Sequence, residues 1–258
     1  MQTIAFATAL RNDEGPALTT AAALAAATGA KLFTVHAATS APIGDVPRAA
    51  DTAARWGRVI ESEIMLHTCC DDPTDTLLDA LRRITPDLVI VGTHGRSGLA
   101  QILDESMAES VARNVAVPTL FVPLHGKGLA NAATGAIDLS RILVPAGDAT
   151  SARVGLEAAA WLARATLAGA VEVVLLHVDD GTAAPDVGDL PEGLSVVRKS
   201  VKGPLEDAIV ELSVGFDACA IVMATRGHDG LVDSITGSHT EHVIRKVSCP
   251  LLSVPIPG

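Results

Sequence analysis

The sequence contains no tyrosine, and its 258 residues include only four Phe and two Trp, Trp56 and Trp161. That scarcity argues against an aromatic platform on which single-stranded nucleic acid would stack. No excess of positive charge compensates. Residues 1–124 carry nine Lys/Arg against fourteen Asp/Glu, a net −5, and the remainder ten against sixteen, a net −6. Neither half has a basic face or arm, so nucleic acid and anionic membrane are not expected partners. No apolar run reaches the roughly 18 residues of a membrane span. The start, MQTIAFATALRNDEG, lacks the basic segment and long apolar core of a secretory signal, so a reducing cytoplasm is the expected compartment. The four cysteines, Cys69, Cys70, Cys219 and Cys249, form no CxxC pair, which leaves zinc and dithiol chemistry without support. Cys219 and Cys249 lie in apolar runs and read as buried thiols.

What the chain has instead is Ala, Val and Leu in abundance, 48% hydrophobic residues overall, and a repeat. DLVIVGTHGRSGL (87–99) returns as ACAIVMATRGHDGL (218–231), and VAVPTLFVP (115–123) as VSCPLLSVP (247–255). Gly95 and Gly227 are 132 positions apart, and so are Pro118 and Pro250. Nearer the start, AKLFTVHA (30–37) matches VEVVLLHVD (171–179), with His36 and His177 separated by 141 positions. The second copy has therefore lost a net nine residues after this strand. One unit is written twice.

Each copy reads as strands alternating with helices. In the second, 141–145 is a strand ending at Pro145, and 151–167 is helical with Ser151 as N-cap. Residues 171–178 and 195–201 are strands, and 204–214 is a helix with Pro204 in its first turn. A buried strand before Thr225, a helix from 239 and a last strand from 251 complete it. The first copy follows suit, with helices across 15–29, 73–84 and 106–115 and an inserted segment around 42–58. Such alternation requires right-handed crossovers and a parallel, doubly wound sheet. The expected class is α/β, with two tandem five-stranded domains spanning 1–124 and 140–258. The Gly- and Ala-rich stretch 125–139 between them reads as a linker.

The stretch ATRGHDGLVDSITGS (224–238) follows a buried strand and precedes a helix. Open α/β sheets place ligands at such carboxyl strand ends. Gly227 and Gly230 permit close backbone approach, and Gly237-Ser238 open a helix whose free N–H groups and dipole favour an anion. Ser238 and Thr240 add hydroxyl donors. Together they form a candidate cradle for phosphate, although two glycines and a capping serine also make an ordinary turn.

These residues resemble the universal stress protein family, whose nucleotide-binding members carry G-x2-G-x9-G-[S/T] between the fourth strand and the last helix. The second copy reads Ala224-x2-Gly227, nine residues, then Gly237-Ser238; the first reads Gly92-x2-Gly95, nine residues, then Glu105-Ser106. The resemblance covers both copies nearly end to end. It implies adenine nucleotide alpha hydrolase-like, Rossmann-like domains that form an internal pseudo-dimer, and it leaves room for a further homodimer of the whole chain. It also implies ATP across the carboxyl ends of the first and fourth strands of the second domain. Carried over, Pro145 and Gly147 follow strand one, Val178 lies beside adenine, Met223 and Ala224 line the site, and Gly227, Gly237, Ser238 and Thr240 meet the phosphates.

The departures are informative. The family's nucleotide binders usually place Asp where this chain has Gly147, and the loss removes a ribose hydroxyl acceptor. In the first copy Ala9 stands at that place, Glu105 replaces the motif glycine and Ala108 the hydroxyl of Thr240. A carboxylate about 4 Å from a phosphate costs up to roughly 4 kcal/mol at surface-like screening, near a thousandfold in affinity. The first copy is therefore expected not to bind ATP. His239 and His242 share a helix face but find no third ligand, so no metal site is expected. His36 and His177, at matching strand ends, read as packing or hydrogen-bonding residues. No Ser-His-Asp order, P-loop lysine or acid pair is present, and no enzymatic activity is expected. The reading is a stress-response protein that binds ATP in its second domain and acts through protein contacts. The alternative is a tandem protein with no nucleotide, serving as an interaction module or holding a small apolar ligand.

Overall fold

The computed structural model describes residues 1–10, 14–38, 46–68, 72–93, 111, 116–179, 181–226 and 236–256, without the side chains of 226, 236–239 and 241. The first half holds strands β1 (Thr3–Ala7), β2 (Lys31–Ala38), β3 (Ser62–Thr68), β4 (Leu88–Thr93) and β5 (Thr119–Pro123). The second holds β6 (Arg141–Pro145), β7 (Val171–Val178), β8 (Leu194–Val201), β9 (Ala220–Arg226) and β10 (Leu251–Ile256). Between them lie helices α1 (Gly15–Thr28), α2 (Ala49–Ala54), α3 (Pro73–Ile84), α4 (Ala149–Ala165), α5 (Leu205–Gly215) and α6 (Thr236–Lys246). All ten strands form one sheet in the order β3-β2-β1-β4-β5-β10-β9-β6-β7-β8. Within each half every recorded pairing is parallel; only β5 and β10 run antiparallel.

The β5–β10 ladder states the symmetry. Leu120 faces Leu252, its own counterpart 132 positions on, and the flanking pairs are Phe121 with Leu251 and Thr119 with Ser253. A residue opposite its own repeat-mate lies on a two-fold axis, so the halves meet as the subunits of an isologous dimer do. The sheet is covered on both faces. One core continuous across the halves packs under α1 and α4, and a second packs under α3, α5 and α6. Double coverage explains the unbroken apolar runs of the central strands; β4 and β5 are buried at every residue. Helix α1 is largely alanine, and Ala17 through Ala25 lie buried against the sheet apart from Leu18. It starts with Pro16 in its first turn and ends at Gly29, whose φ of 70° is left-handed.

Two expectations need correction. Helix α4 begins at Ala149, and its N-cap is Asp148 rather than Ser151. Asp148 Oδ1 accepts from Ser151 N at 2.7 Å, while Asp148 N donates to Ser151 Oγ at 3.1 Å. This reciprocal pair satisfies two amide donors at once and carries the helix one turn further back. The stretch around 125–140 is a built strap, not a loose connection. Leu129 and Leu139 are 2% exposed, and Leu129 N donates to Thr20 Oγ1 on α1 at 3.1 Å. The Trp56 indole donates to Ala132 O at 3.1 Å. On the other half, Lys127 N donates to Ser248 O at 2.9 Å, and Lys127 and Arg141 both pair with Asp217, at 2.8 and 2.6 Å. Those two cations hold the Asp217 carboxyl below its ordinary range. Cys219 is half-buried, with Sγ 3.6 Å from Ser140 Oγ, and Cys249 is fully buried, its thiol pushed up to about 12 by loss of solvent.

Candidate functional site

In each half the chain leaves strand one toward one sheet edge and returns at strand four on the other side. The neighbouring strands β6 and β9 are thus the point where the winding reverses, and the crevice outside their carboxyl ends is where such sheets bind ligands. The two halves differ here. β1 pairs with β4 through four residues, Ile4 to Ala7. β6 pairs with β9 through only two, Ile142 with Ala220 and Leu143 with Ile221. β6 pairs with β7 along its whole length, and Ala146 N donates to Leu176 O at 2.9 Å just as Thr8 N donates to Val35 O at 3.0 Å in the first half.

The mouth of this crevice is built from residues the sequence had singled out. Pro145 closes β6, and Gly147 follows, exposed, with no atom of the described residues within 4 Å of the position a Cβ would take. In the later part of β9, Met223 is buried and Ala224 half-buried, and β7 ends at half-buried Val178. The Thr225 hydroxyl is turned to β10, 3.2 Å from Ser253 Oγ and 3.3 Å from Val254 O. Gly237 and Ser238 lie in the first turn of α6, and Thr240 is buried one turn on. Gly227 and Gly230 lie outside the described residues, as do His94, Gly95, Glu105, Ser106 and Ala108 of the first copy.

The repeated histidines brace the strand-one loops. His36 Nδ1 donates to Thr8 O at 2.8 Å. His177 Nδ1 lies 3.5 Å from Ala146 O and its Nε2 3.3 Å from Thr182 O. A neutral imidazole donates to only one of those carbonyls at a time. Both rings are buried, which accords with a positioning role immediately before Ala9 and Gly147.

One site residue was missed from the sequence. Glu14, the N-cap of α1, is 4% exposed and does not cap its own helix with its side chain. Its carboxylate folds back onto strand one, accepting from the Thr8 hydroxyl and from Ala9 N at 3.0 Å. Thr8 Oγ1 in turn accepts from Leu10 N at 2.8 Å. The remaining cavity, about 150 Å³, is lined by Phe6, Leu10, Leu18 and Pro47. So the first half places an acidic group in its strand-one loop, where the second half is open. An acidic residue just before a Gly-Pro helix start was the available signal. In the second half the Asp148 carboxylate, at the start of α4, accepts the Ser151 amide.

One doubly wound, ten-stranded sheet whose halves meet about a two-fold at β5 and β10 defines a tandem α/β protein. A model of the universal stress protein family matches residues 1–123 and 188–255, about three quarters of the chain, and the chain belongs to that family. Over 99% of its length it is similar to a universal stress protein from Archaeoglobus fulgidus, covering 98% of that chain with a TM-score of 0.69 and 19% identity. A functionally unknown protein from Pseudomonas aeruginosa is similar over the same 99%, covering 93% of that chain, with a TM-score of 0.64 and 17% identity. Both likenesses bear on the fold. Among curated proteins, none matches the chain.

Proposed function

We propose that the second half binds ATP or a related nucleotide in the β6–β9 crevice, and that the chain works as a stress-response protein through protein contacts. The observations that carry this reading are exposed Gly147 just beyond β6 and a helix start directly after β9, both at the point where the winding of the sheet reverses. The start of α6 at Thr236-Gly237-Ser238 supplies N–H donors for phosphate on the same side. On this reading 1–124 and 140–258 act as two domains with 125–139 as the strap. The first supports the second and binds no nucleotide: Glu14 puts a carboxylate in the strand-one loop, and the sequence has Glu105 where the second copy has the motif glycine. The chain is a cytoplasmic binding protein rather than an enzyme: no lysine occurs between 224 and 241, and the Asp148 carboxylate is engaged in capping.

The experiment has two parts. Purified protein is denatured and the supernatant analysed for released nucleotide. ATP-dependent melting is then compared between the wild type and Gly237→Glu, which copies the first half's substitution. At a hundredfold excess over Kd, binding stabilises by about 2.7 kcal/mol, a rise of roughly 5–10 °C. The wild type should show it and the variant should not. Equal shifts would refute the assigned site. Absence of a shift in both would favour the second reading, a crevice without nucleotide, which the lack of a free carboxylate at Gly147 supports.

A further inference from the structure

The two halves differ again on the opposite flank of the sheet. Helix α3 buries Leu77, Leu78, Ala80 and Leu81. Its counterpart α5, LEDAIVELSVG, is at least as apolar but buries only Ile209 and Ser213. Between α5 and strands β7 and β8 runs a groove of about 630 Å³, floored by Val174, Val197 and Val201 and walled by Ala208, Leu212 and Phe216. Val197, on the floor, remains 50% exposed. Apolar surface gathered in one concavity marks a binding site rather than ordinary exposure.

The first half shows what fills the same place. Val174 corresponds to Phe33 and Glu172 to Lys31, each 141 positions on. Phe33 packs against the core under α3. Lys31 Nζ lies 4.6 Å from the centre of its ring, 3.0 Å from Glu63 on β3 and 3.5 Å from Glu61 just before it. In the second half the ring is reduced to Val174 and the cation is replaced by an acid. Glu172 and, on the α5 wall, Glu211 make no ion pair among the described residues, whereas Asp207 pairs with Lys246 at 3.1 Å. Lys199 faces Leu176, four residues along the strand from Glu172, about 13 Å away; Lys202 lies 3.8 Å from Asp179. Relative to the first half, the groove therefore lacks the Phe33 ring and the Lys31 cation; its own cations, Lys199 and Lys202, lie toward the other end, which leaves the Glu172 end acidic.

We propose that this groove docks a peptide segment of a partner protein that presents a basic side chain two residues before an aromatic one. The ring would rest on Val174 and Val197 under Leu212 and Phe216, as an anchor residue does in an interface pocket. The basic group would lie between Glu172 and Glu211, and the charge order from Glu172 to Lys199 fixes the direction.

The test uses full-length protein with ¹³C-labelled valine methyls and the acetylated, amidated peptide Lys-Leu-Phe-Thr, the chain's own sequence at 31–34. The methyls of Val174, Val197 and Val201 should shift saturably, with a Kd on the order of millimolar for so small a ligand. Glu-Leu-Phe-Thr and Lys-Leu-Ala-Thr should each bind at least about fivefold more weakly. Val174→Phe fills the groove as the first half does; it should keep or raise the melting temperature and abolish the shifts at Val197. Glu172→Lys, which leaves packing intact, should reverse the preference between the lysyl and glutamyl peptides. Lack of saturation, equal binding of the two charged peptides, or unchanged binding by both variants would overturn the assignment. So would valine shifts that depend on protein concentration without peptide, which would give the groove to a second copy.

Discussion

If Gly147 stands where a ribose acceptor is missing, Gly147→Asp should install one. The structure favours a clean substitution. Gly147 is exposed, no atom of the described residues lies within 4 Å of its missing Cβ, and its φ is outside the left-handed region. The unliganded fold should therefore change by less than about 0.5 kcal/mol. Asp148 does not already perform the task, because its Oδ1 accepts from Ser151 N at 2.7 Å. A hydrogen bond to a charged acceptor contributes about 1.5–3 kcal/mol, a gain of roughly ten- to a hundredfold in affinity. The new charge also repels the phosphates, screened over a Debye length of about 8 Å at physiological salt, so ATP should sit near tenfold and adenosine higher. Titration calorimetry on the wild type, Gly147→Asp and Gly147→Asn, with ATP, adenosine and adenine, measures this. The gain should appear with the first two ligands, be smaller for Asn, and vanish with adenine, which has no ribose. An equal gain with adenine, or none with adenosine in a folded variant, would refute the argument.

Two further outcomes follow from the strap and from the carboxylates. A Cβ at Gly126 would fall 2.3 Å from Ser248 O and 3.0 Å from its carbonyl carbon, both backbone. Gly126→Ala must displace the strap and break the Lys127 N–Ser248 O bond. Overpacking and the lost bond together cost about 2–4 kcal/mol. Scanning fluorimetry should show a fall of roughly 5–15 °C; a fall under about 2 °C would mean that the strap is not a clamp. Asp87, Asp138 and Asp217 all titrate below the ordinary 3.8, Asp87 through the Gln2 and Thr3 amides, Asp138 through Ser140, and Asp217 through Lys127 and Arg141. Lowered folded-state values mean that their contribution is complete above that pH and is lost as pH falls below it. Melting temperature should hold from pH 7 to about 5 and drop below about 4, with a shallower acid drop in Asp87→Asn; an identical acid limb in that variant would remove Asp87 from the account.

Much of the fold was legible because its determinants are local or periodic. The α3 span at 73–84 follows from Asp72, which accepts from Thr74 N at 2.7 Å, from Pro73 and from a strongly one-sided apolar pattern. The repeat offset of 132 aligns strand five of one copy with strand five of the other, but that Leu120 meets Leu252 across the seam emerged only from the structure. The misreadings have one cause, partners distant in sequence or competing nearby. The strap looked featureless because its anchor, Thr20 to Leu129, spans 109 residues. Ser151 looked like a cap because it is one member of a two-residue box. Glu14 was passed over because a carboxylate turned back across a loop leaves no periodic trace.

The covalent joining of two copies explains why their recesses could diverge. In a dimer of identical chains, any residue that fills a crevice fills both crevices, since an isologous interface repeats each side chain. Here each copy is written separately, and the differences point one way. In the first half Glu14 occupies the strand-one loop and Phe33, with Lys31 over its ring, occupies the flank under α3. In the second, Gly147 leaves the loop open and Val174 leaves the flank open. The first half has traded recesses for packing, with four residues of α3 buried against two of α5. The second can keep an under-packed helix because the antiparallel β5–β10 seam and the strap tie it to a closed partner. Burial of apolar surface in one half thus supports exposure in the other.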